Sequence, residues 1–195
     1  MSEELLSLYD GSDEVLAAIR SRAPQAPPRD VGEVVRTYHP KRLTLTVTAV
    51  IPETPTAVTL RLHRDDGDLP PFLAGQYVNV FYDGTSRPYA MSSAPGADHY
   101  DLTIKRVAGG RISNALIDLV RVGDVLTTTG PMGTFHHNPL FHGNDLVFLA
   151  GGSGVVPAMS MIRDILGEKV ERRLHLIYGV TERSDVIFAQ ELAAI

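Results

Sequence analysis

An uninterrupted apolar strand that runs into a glycine-rich turn constrains the fold more than any other part of this sequence. Residues 146–150 read Leu-Val-Phe-Leu-Ala, which is typical of a parallel strand covered on both faces. The turn Gly-Gly-Ser-Gly follows at 151–154, and a helical pattern begins near Val156. A second apolar strand at 174–178 completes a βαβ unit, the start of a doubly wound sheet.

This α/β region, placed at residues 144–195, is short for a whole domain. A further helix is predicted at 185–194, and the sequence then stops at Ile195. A parallel sheet needs several strands with helices on both faces. We therefore expect a partial domain, which belongs to a fragment of a longer protein or is completed by a partner chain.

Between residues 38 and 140 the apolar period changes to two. Leu43, Leu45, Val47 and Ala49 alternate with threonines, as in a half-buried strand. Similar short strands are predicted at 58–63, 77–82, 102–105 and 125–129, with a turn at 52–55. A helix with an apolar face over 112–120 interrupts them. Short strands separated by Gly, Pro and Asp predict a small antiparallel barrel.

Residues 1–30 form a helical arm and a linker in this prediction. Apolar residues recur at helical spacing over residues 2–22, and Ala-Pro-Gln-Ala-Pro-Pro at 23–28 is a stiff, proline-rich stretch. The pattern favours a docking or oligomerisation segment without chemistry of its own.

Composition excludes several function classes. A net charge of −5 leaves no basic surplus for a nucleic-acid partner. The chain has no cysteine, which removes disulfides, zinc–thiolate sites, cysteine nucleophiles and any iron–sulfur cluster held by this chain alone. The acidic N-terminus is unlike a secretory signal, and glycines and a proline interrupt the uncharged run at 146–162, so no membrane span is expected. These features predict a cytoplasmic protein.

The glycine-rich turn carries the clearest chemistry. Glycines let the backbone approach a phosphate closely, and free N–H groups at a helix start face an anion. A proline near the first helical position is tolerated because that N–H has no partner within the helix. We interpret residues 150–157 as a nucleotide-phosphate site. Pro157 replaces the third glycine of the Rossmann fingerprint, so a typical dehydrogenase is a poorer match.

Three weaker motifs lie in the barrel region. Arg87-Pro88-Tyr89 offers a guanidinium fork for phosphate and an aromatic ring two residues later on the same side of an extended segment. Gly110 and Ser113 stand at the start of the predicted helix and suit a second phosphate. The segment 130–135 reads Gly-Pro-Met-Gly-Thr-Phe. Taken singly, a salt-bridged arginine, a capped helix and a plain turn explain the three equally well or better.

Taken together and in order, the motifs resemble the ferredoxin–NADP reductase superfamily over about residues 40–195. The segments that carry the resemblance are Arg87–Ser93, Gly110–Leu116, Gly130–Gly133, Gly151–Pro157, Tyr178-Gly179, Phe188 and Glu191-Leu192. The resemblance implies a Greek-key antiparallel β-barrel that binds FAD, followed by a partial doubly wound α/β domain that binds NADH or NADPH as co-substrate. Hydride from the nicotinamide would reach the flavin, which can release electrons singly.

The resemblance also assigns the cofactor-binding residues. Arg87 would bind the FAD pyrophosphate, Tyr89 would pack on the isoalloxazine, and the turn at 151–154 would cradle the nicotinamide dinucleotide. The whole implied set is Arg87, Pro88, Tyr89, Ala90, Ser93, Ile104, Lys105, Gly110, Arg111, Ile112, Ser113, Gly151, Gly152, Ser153, Gly154 and Pro157.

The sequence departs from the family at Ala90, where relatives carry a serine that hydrogen-bonds near flavin N5. A backbone N–H or Ser92 could substitute for it. The family's further strands and its Cys-Gly motif beside the nicotinamide do not occur in this sequence.

Two further groups of residues are candidates, one for a metal site and one for recognition of the coenzyme ribose. His136, His137 and His142 could bind a metal, but no acidic or cysteine ligand accompanies them, which favours a solvated connector. Glu182 and Arg183 follow the second parallel strand, where the ribose is recognised. An acid there favours NADH and an arginine NADPH, so the preference for NADH is slight.

The function predicted is an FAD-dependent oxidoreductase that passes electrons from NAD(P)H to a ferredoxin-like iron–sulfur protein or an oxygenase. The alternative is a flavin-binding electron-transfer or regulatory subunit without independent NAD(P)H turnover. A third possibility is a structural remnant that binds no cofactor, and such a protein would purify colourless.

Overall fold

The computed structural model describes residues 30–138, 141–167 and 172–195. The helical arm and linker predicted before residue 30 lie outside the described residues. A short helix absent from the sequence-based prediction, α1 (Val31–Tyr38), comes first. Oδ1 of Asp30 accepts the N–H of Gly32 at 2.9 Å, and Glu33 stands in the first turn, as in a capped helix start.

Six antiparallel strands form the predicted barrel. They are β1 (Leu43–Thr54), β2 (Ala57–His63), β3 (Tyr77–Tyr82), β4 (Thr85–Ala90), β5 (Tyr100–Lys105) and β6 (Val125–Thr128). The strand order is β4-β3-β6-β1-β2-β5. A bridge between Met91 and Leu102 joins the two outer strands and closes the sheet. Alternate residues of each strand point inward and fill a core that includes Leu45, Val47, Leu60, Leu62, Val78, Val80, Leu102 and Ile104.

The strands predicted around residues 77–82, 102–105 and 125–129 are confirmed, but the turn predicted at 52–55 is wrong. β1 continues to Thr54, and the turn lies at residues 55–56. Pro52 is tolerated within the strand because β6 pairs with β1 only from Leu43 to Thr46. Beyond Thr46 β1 has one partner strand, and a proline ring can occupy its free edge.

Helix α2 (Arg111–Asp118) lies between β5 and β6, and confirms the predicted helix. It buries Ile112, Ser113 and Leu116 against the barrel. Among the described residues, the longest apolar helix is too short to cross a bilayer.

The α/β region consists of β7 (Asp145–Gly151), a 3₁₀ turn at Gly152–Gly154, α3 (Val155–Gly167), β8 (Arg173–Gly179), a 3₁₀ turn at Arg183–Asp185 and α4 (Ala189–Ala194). β7 and β8 pair in parallel, as predicted. The expectation that both faces of this sheet are covered is wrong for the described residues. Helix α3 packs on one face of the sheet. On the opposite face, the side chains of Val147, Leu149 and Ile177 are 62%, 78% and 62% exposed.

A second apolar cluster joins α3 to the barrel. Val155, Val156 and Met159 of α3 pack with Ala57 of β2 and with Ala90 of β4. The seam is completed by a hydrogen bond of 2.7 Å from the buried Ser160 hydroxyl to the Ser93 carbonyl. The start of α3 therefore lies against the barrel strand that carries the arginine motif.

Candidate functional site

A groove of about 730 Å³ lies where the barrel meets the start of α3. Its volume is in the range of small-molecule sites. Three separate parts of the chain form its walls: the strand pair β4 and β5, the start of α2, and the turn before α3. The lining residues are Thr85, Arg87, Pro88, Tyr89, Ala90, Thr103, Lys105, Val107, Gly109, Gly110, Arg111, Ile112, Ser113, Ser153 and Val156.

Arg87 and Tyr89 lie on the groove side of β4, two residues apart in a strand, as their spacing predicted. The Arg87 guanidinium donates to the Ser86 carbonyl at 2.8 Å and to the Thr85 hydroxyl at 3.4 Å. Within residues 30–138, 141–167 and 172–195 it pairs with no carboxylate. An exposed arginine with only neutral acceptors keeps its charge available to an anion in the groove.

Tyr89 is half-buried in the groove wall. Burial raises the pKa of its phenol, while the positive charge of Arg87 opposes the rise. The hydroxyl therefore stays protonated at neutral pH and the ring presents an apolar surface. Such a surface suits a planar aromatic ligand.

The start of α2 forms the opposite wall. Gly110 is its N-cap and offers no side-chain hydrogen bond, which leaves first-turn N–H groups for a ligand. A Cβ at Gly110 would lie 2.4 Å from Oγ of Ser113, so this wall needs a glycine. Arg111 lies at the rim and pairs with Asp83.

The glycine-rich turn lies at the groove's third side. Ser153 lines the groove, and an added Cβ on Gly151 or Gly154 would meet open space. Gly152 has a positive φ of 50°, and an added Cβ there would lie 3.8 Å from Nζ of Lys105. Pro157 stands in the first turn of α3, where its missing N–H leaves no helical bond unmade.

Lys105 links the barrel end of the groove to the α/β region. Its ammonium lies 3.7 Å from the Asp185 carboxylate, and both side chains are mostly buried. Arg87, Lys105 and Arg111 make the groove wall basic. Since Asp185 and Asp83 partner the other two, Arg87 is the cation of the three without an acidic partner among the described residues.

Two barrel residues of the implied set have side chains that do not line the groove. Ile104 is fully buried in the barrel core, because it alternates with Thr103 and Lys105, which face the groove. Ser93 is buried, and its Oγ accepts the N–H of Asp101 at 3.2 Å. The side chains of Ile104 and Ser93 therefore do not line the groove, and the assignment of these two residues to cofactor binding stays a prediction.

The Ser92 hydroxyl, one of the two predicted substitutes for the family's serine at Ala90, does not line the groove. It is fully buried and bonds to the Asp101 carbonyl at 3.2 Å and to the Thr103 hydroxyl at 2.9 Å. Thr103, which lines the groove from β5, also lies 2.7 Å from the Thr59 hydroxyl. Thr103 is not among the residues predicted from the sequence. It stands two residues before Lys105 on β5, just as Arg87 stands two residues before Tyr89 on β4.

Arg163 of α3 is a second residue that the sequence did not reveal. It donates to the Ser92 carbonyl at 2.7 Å and, through two nitrogens, to the Glu191 carboxylate at 2.8 and 2.5 Å. Its guanidinium also lies 5.1 Å from the ring centre of Phe188. The segment at 188–192 therefore contacts Arg163, and Arg163 links α3 to the main chain just after β4.

We expect Arg163→Met to lower the free energy of unfolding by about 1.5–3 kcal/mol, the range for a hydrogen bond to a charged group. Urea unfolding of the purified chain measures this. The matched control is Arg173→Met, because Arg173 pairs with Asp145 in the same bidentate way but is 77% exposed. The control should lose no more than about 1 kcal/mol. Equal losses in the two variants would contradict a bracing role.

The remaining candidate residues lie apart from the groove. In the histidine loop, His137 bonds to the Gly143 carbonyl and His142 accepts the N–H of Asn138. The 130–133 motif lies beside the residues that precede β1 and β3, where the Gly130 N–H donates to the Pro40 carbonyl and the Gly133 carbonyl accepts from Gln76. Glu182 and Arg183 both lie exposed after β8.

Two family models match the chain. One describes the oxidoreductase FAD-binding domain and covers residues 42–137; the other describes the oxidoreductase NAD-binding domain and covers residues 148–195. Together they span the barrel, the groove and the α/β region.

Among curated proteins, the chain is 37% identical over 125 residues to the toluate 1,2-dioxygenase electron transfer component of Pseudomonas putida, covering 63% of this chain and 37% of that protein. It is 32% identical over 151 residues to the propane 2-monooxygenase reductase component of Rhodococcus jostii (strain RHA1), covering 75% and 40%. The chain thus spans well under half the length of these relatives.

Among solved structures, phthalate dioxygenase reductase superposes with a TM-score of 0.72 at 26% identity, over 78% of this chain and 48% of that chain. That structure is described as modular, for electron transfer from pyridine nucleotides to a 2Fe–2S centre.

Proposed function

The chain belongs to the ferredoxin–NADP reductase superfamily through its oxidoreductase FAD-binding domain, and on that premise we propose that it binds FAD in the groove and passes electrons from NADH or NADPH to a protein acceptor. The proposed limits are 38–140 for the FAD-binding barrel and 144–195 for the nucleotide-binding part. The observation that carries the proposal is Arg87, a cation without an acidic partner among the described residues, in one groove with the uncapped start of α2.

The residues present fit a flavin dinucleotide. The Arg87 fork and the first-turn N–H groups of α2 suit a diphosphate, and Gly110 leaves room for it beside Ser113. The half-buried Tyr89 ring suits the planar ring system. Bound FAD would supply a centre that accepts hydride and releases electrons one at a time.

The turn at 151–154 is proposed to hold the pyrophosphate of the nicotinamide dinucleotide. Its outer faces are open, and it meets the same groove through Ser153. Ala90 and Val156 line the groove beside this turn, and their apolar surface would help to keep water from a hydride transfer there.

The proposed acceptor is an iron–sulfur protein or an oxygenase. Support comes from the relatives, which are named as an electron transfer component of a dioxygenase and a reductase component of a monooxygenase. The chain itself has no cysteine with which to hold a cluster, so the acceptor centre would lie outside residues 1–195.

Mixing the FAD-loaded chain with NADH in a stopped-flow spectrometer tests the proposal. We expect rapid bleaching of the flavin absorbance, and NADPH in a parallel run reports the coenzyme preference. Bound flavin that stays yellow with both coenzymes would instead support the flavin-binding subunit without independent turnover. A chain that binds no FAD at all would overturn both.

A further inference from the structure

Three metal-ligating side chains converge at the end of the barrel, outside the groove. Nε2 of His63 lies 3.8 Å from Oδ1 of Asp98, and Nδ1–H of His99 donates to the same oxygen at 2.7 Å, with a proton that a bound metal ion would replace. One ligand atom from each residue falls within 4.8 Å of the other two. His63 ends β2, and Asp98 and His99 precede β5, so two different segments supply the cluster.

Nδ1 of the first imidazole is hydrogen-bonded to a hydroxyl. The Thr48 Oγ lies 2.8 Å from Nδ1 of His63 and 3.4 Å from the Arg61 carbonyl oxygen. The tautomer in which Nδ1–H donates to this hydroxyl leaves a lone pair on Nε2, the nitrogen that lies 3.8 Å from Asp98. An acceptor on the outer nitrogen of a histidine is the usual partner arrangement at metal sites.

The second imidazole has a carboxylate on its outer nitrogen. Nε2 of His99 lies 3.5 Å from Oδ2 of Asp101. Asp101 is only 4% exposed and is held by two bonds of 2.9 Å from Arg61. When the ion replaces the proton on Nδ1, the hydrogen of the neutral ring moves to Nε2, and the fixed, buried Asp101 carboxylate can accept it. Such a carboxylate behind a histidine orients the ring and raises its basicity as a ligand.

We propose that His63, Asp98 and His99 bind one divalent late transition-metal ion, with Zn²⁺ as the best match. Two imidazoles and one carboxylate are a donor set that zinc accepts, with a fourth position left for water. Zinc bonds of about 2.0–2.1 Å place tetrahedral ligand atoms about 3.4 Å apart, and the two distances to Asp98 bracket that value.

The site is separate from the flavin groove. β2 pairs with β5 so that Leu62 opposes Tyr100 at one end and Ala57 opposes Lys105 at the other. The metal ligands flank the first pair and Lys105 lines the groove at the second, about 17 Å away along the strand. The ion would therefore tie the end of β2 to the loop before β5 and take no part in electron transfer.

Isothermal titration of the FAD-loaded chain with Zn²⁺ alone tests the site. We expect one saturable site per chain and a raised unfolding temperature, because the ion binds only the folded arrangement. His63→Gln should weaken binding at least tenfold, and Thr48→Val should weaken it about ten- to a hundredfold, the effect typical of an outer partner. The double variant His137→Gln/His142→Gln is the matched control and should keep the site.

Asp98→Asn gives the decisive comparison, since this side chain is 83% exposed and its loss leaves the barrel core untouched. FAD affinity, measured in parallel, shows that each variant is folded. Absence of a saturable isotherm in the unaltered chain would overturn the proposal. So would Zn²⁺ affinity that is unchanged in Asp98→Asn and His63→Gln, or lost in the His137/His142 control.

Discussion

Arg87→Ala is expected to weaken FAD binding by roughly 10- to 150-fold, which corresponds to about 1.5–3 kcal/mol for hydrogen bonds to a charged group. Arg87 lines the groove and, among the described residues, donates only to two neutral oxygens of its own strand. Binding of a diphosphate therefore needs no ion pair to be broken first. Titration of the apoprotein by flavin fluorescence measures the affinity.

Arg87→Lys separates charge from geometry. It keeps the positive charge but loses the planar fork, so an affinity between those of the unaltered chain and Arg87→Ala is expected. Arg173→Ala is the control, because that arginine lies on β8 outside the groove lining and pairs with Asp145 of β7. Undiminished FAD affinity in Arg87→Ala would remove this residue from the site.

Gly75→Ala is expected to lower the free energy of unfolding by about 2–5 kcal/mol, combining left-handed backbone strain with overpacking. Gly75 has a φ of 98°, and an added Cβ would lie 2.2 Å from the backbone oxygen of Phe135 and 2.5 Å from the end of Met161. The methionine can move, but the Phe135 carbonyl cannot without displacing its segment. For a chain of this size the melting temperature should fall by about 5–20 °C.

Gly84→Ala isolates the two contributions. Gly84 also has a positive φ, 73°, but an added Cβ would meet nothing within 4 Å. Strain alone should lower stability by about 1–2 kcal/mol. Thermal unfolding of Gly75→Ala and Gly84→Ala gives the difference in stability between them. Equal losses of stability would show that the Phe135 segment moves away from the added Cβ with little loss of free energy.

Local periodicity made the barrel predictable. Alternation placed β3, β5 and β6 within about two residues, and the same period of two put Arg87 and Tyr89 on one side of β4. It also explains why the Ile104 side chain lies in the core while Thr103 and Lys105 line the groove, since neighbours in a strand face opposite ways. Asp30 and Glu33 in capping positions are a local sequence signal for helix α1 as well.

Contacts between distant residues could not be predicted in this way. Arg163 and Ser92 are 71 positions apart, and no periodicity links them. His63 and Asp98 come together only because β2 pairs with β5. The exposed side of the β7–β8 sheet was hidden for a different reason: an apolar run reads the same whether one or both of its faces are covered.

The seam between α3 and the barrel has an uneven tolerance to mutation. Both Ser160 and Arg163 donate to main-chain oxygens, those of Ser93 and Ser92. Every amino acid brings such an oxygen, so evolution can vary the side chains at 92 and 93 without severing these two links. Substitution at position 160 or 163 removes the donor itself. These two hydrogen bonds between α3 and the barrel therefore depend on the side chains of the helix.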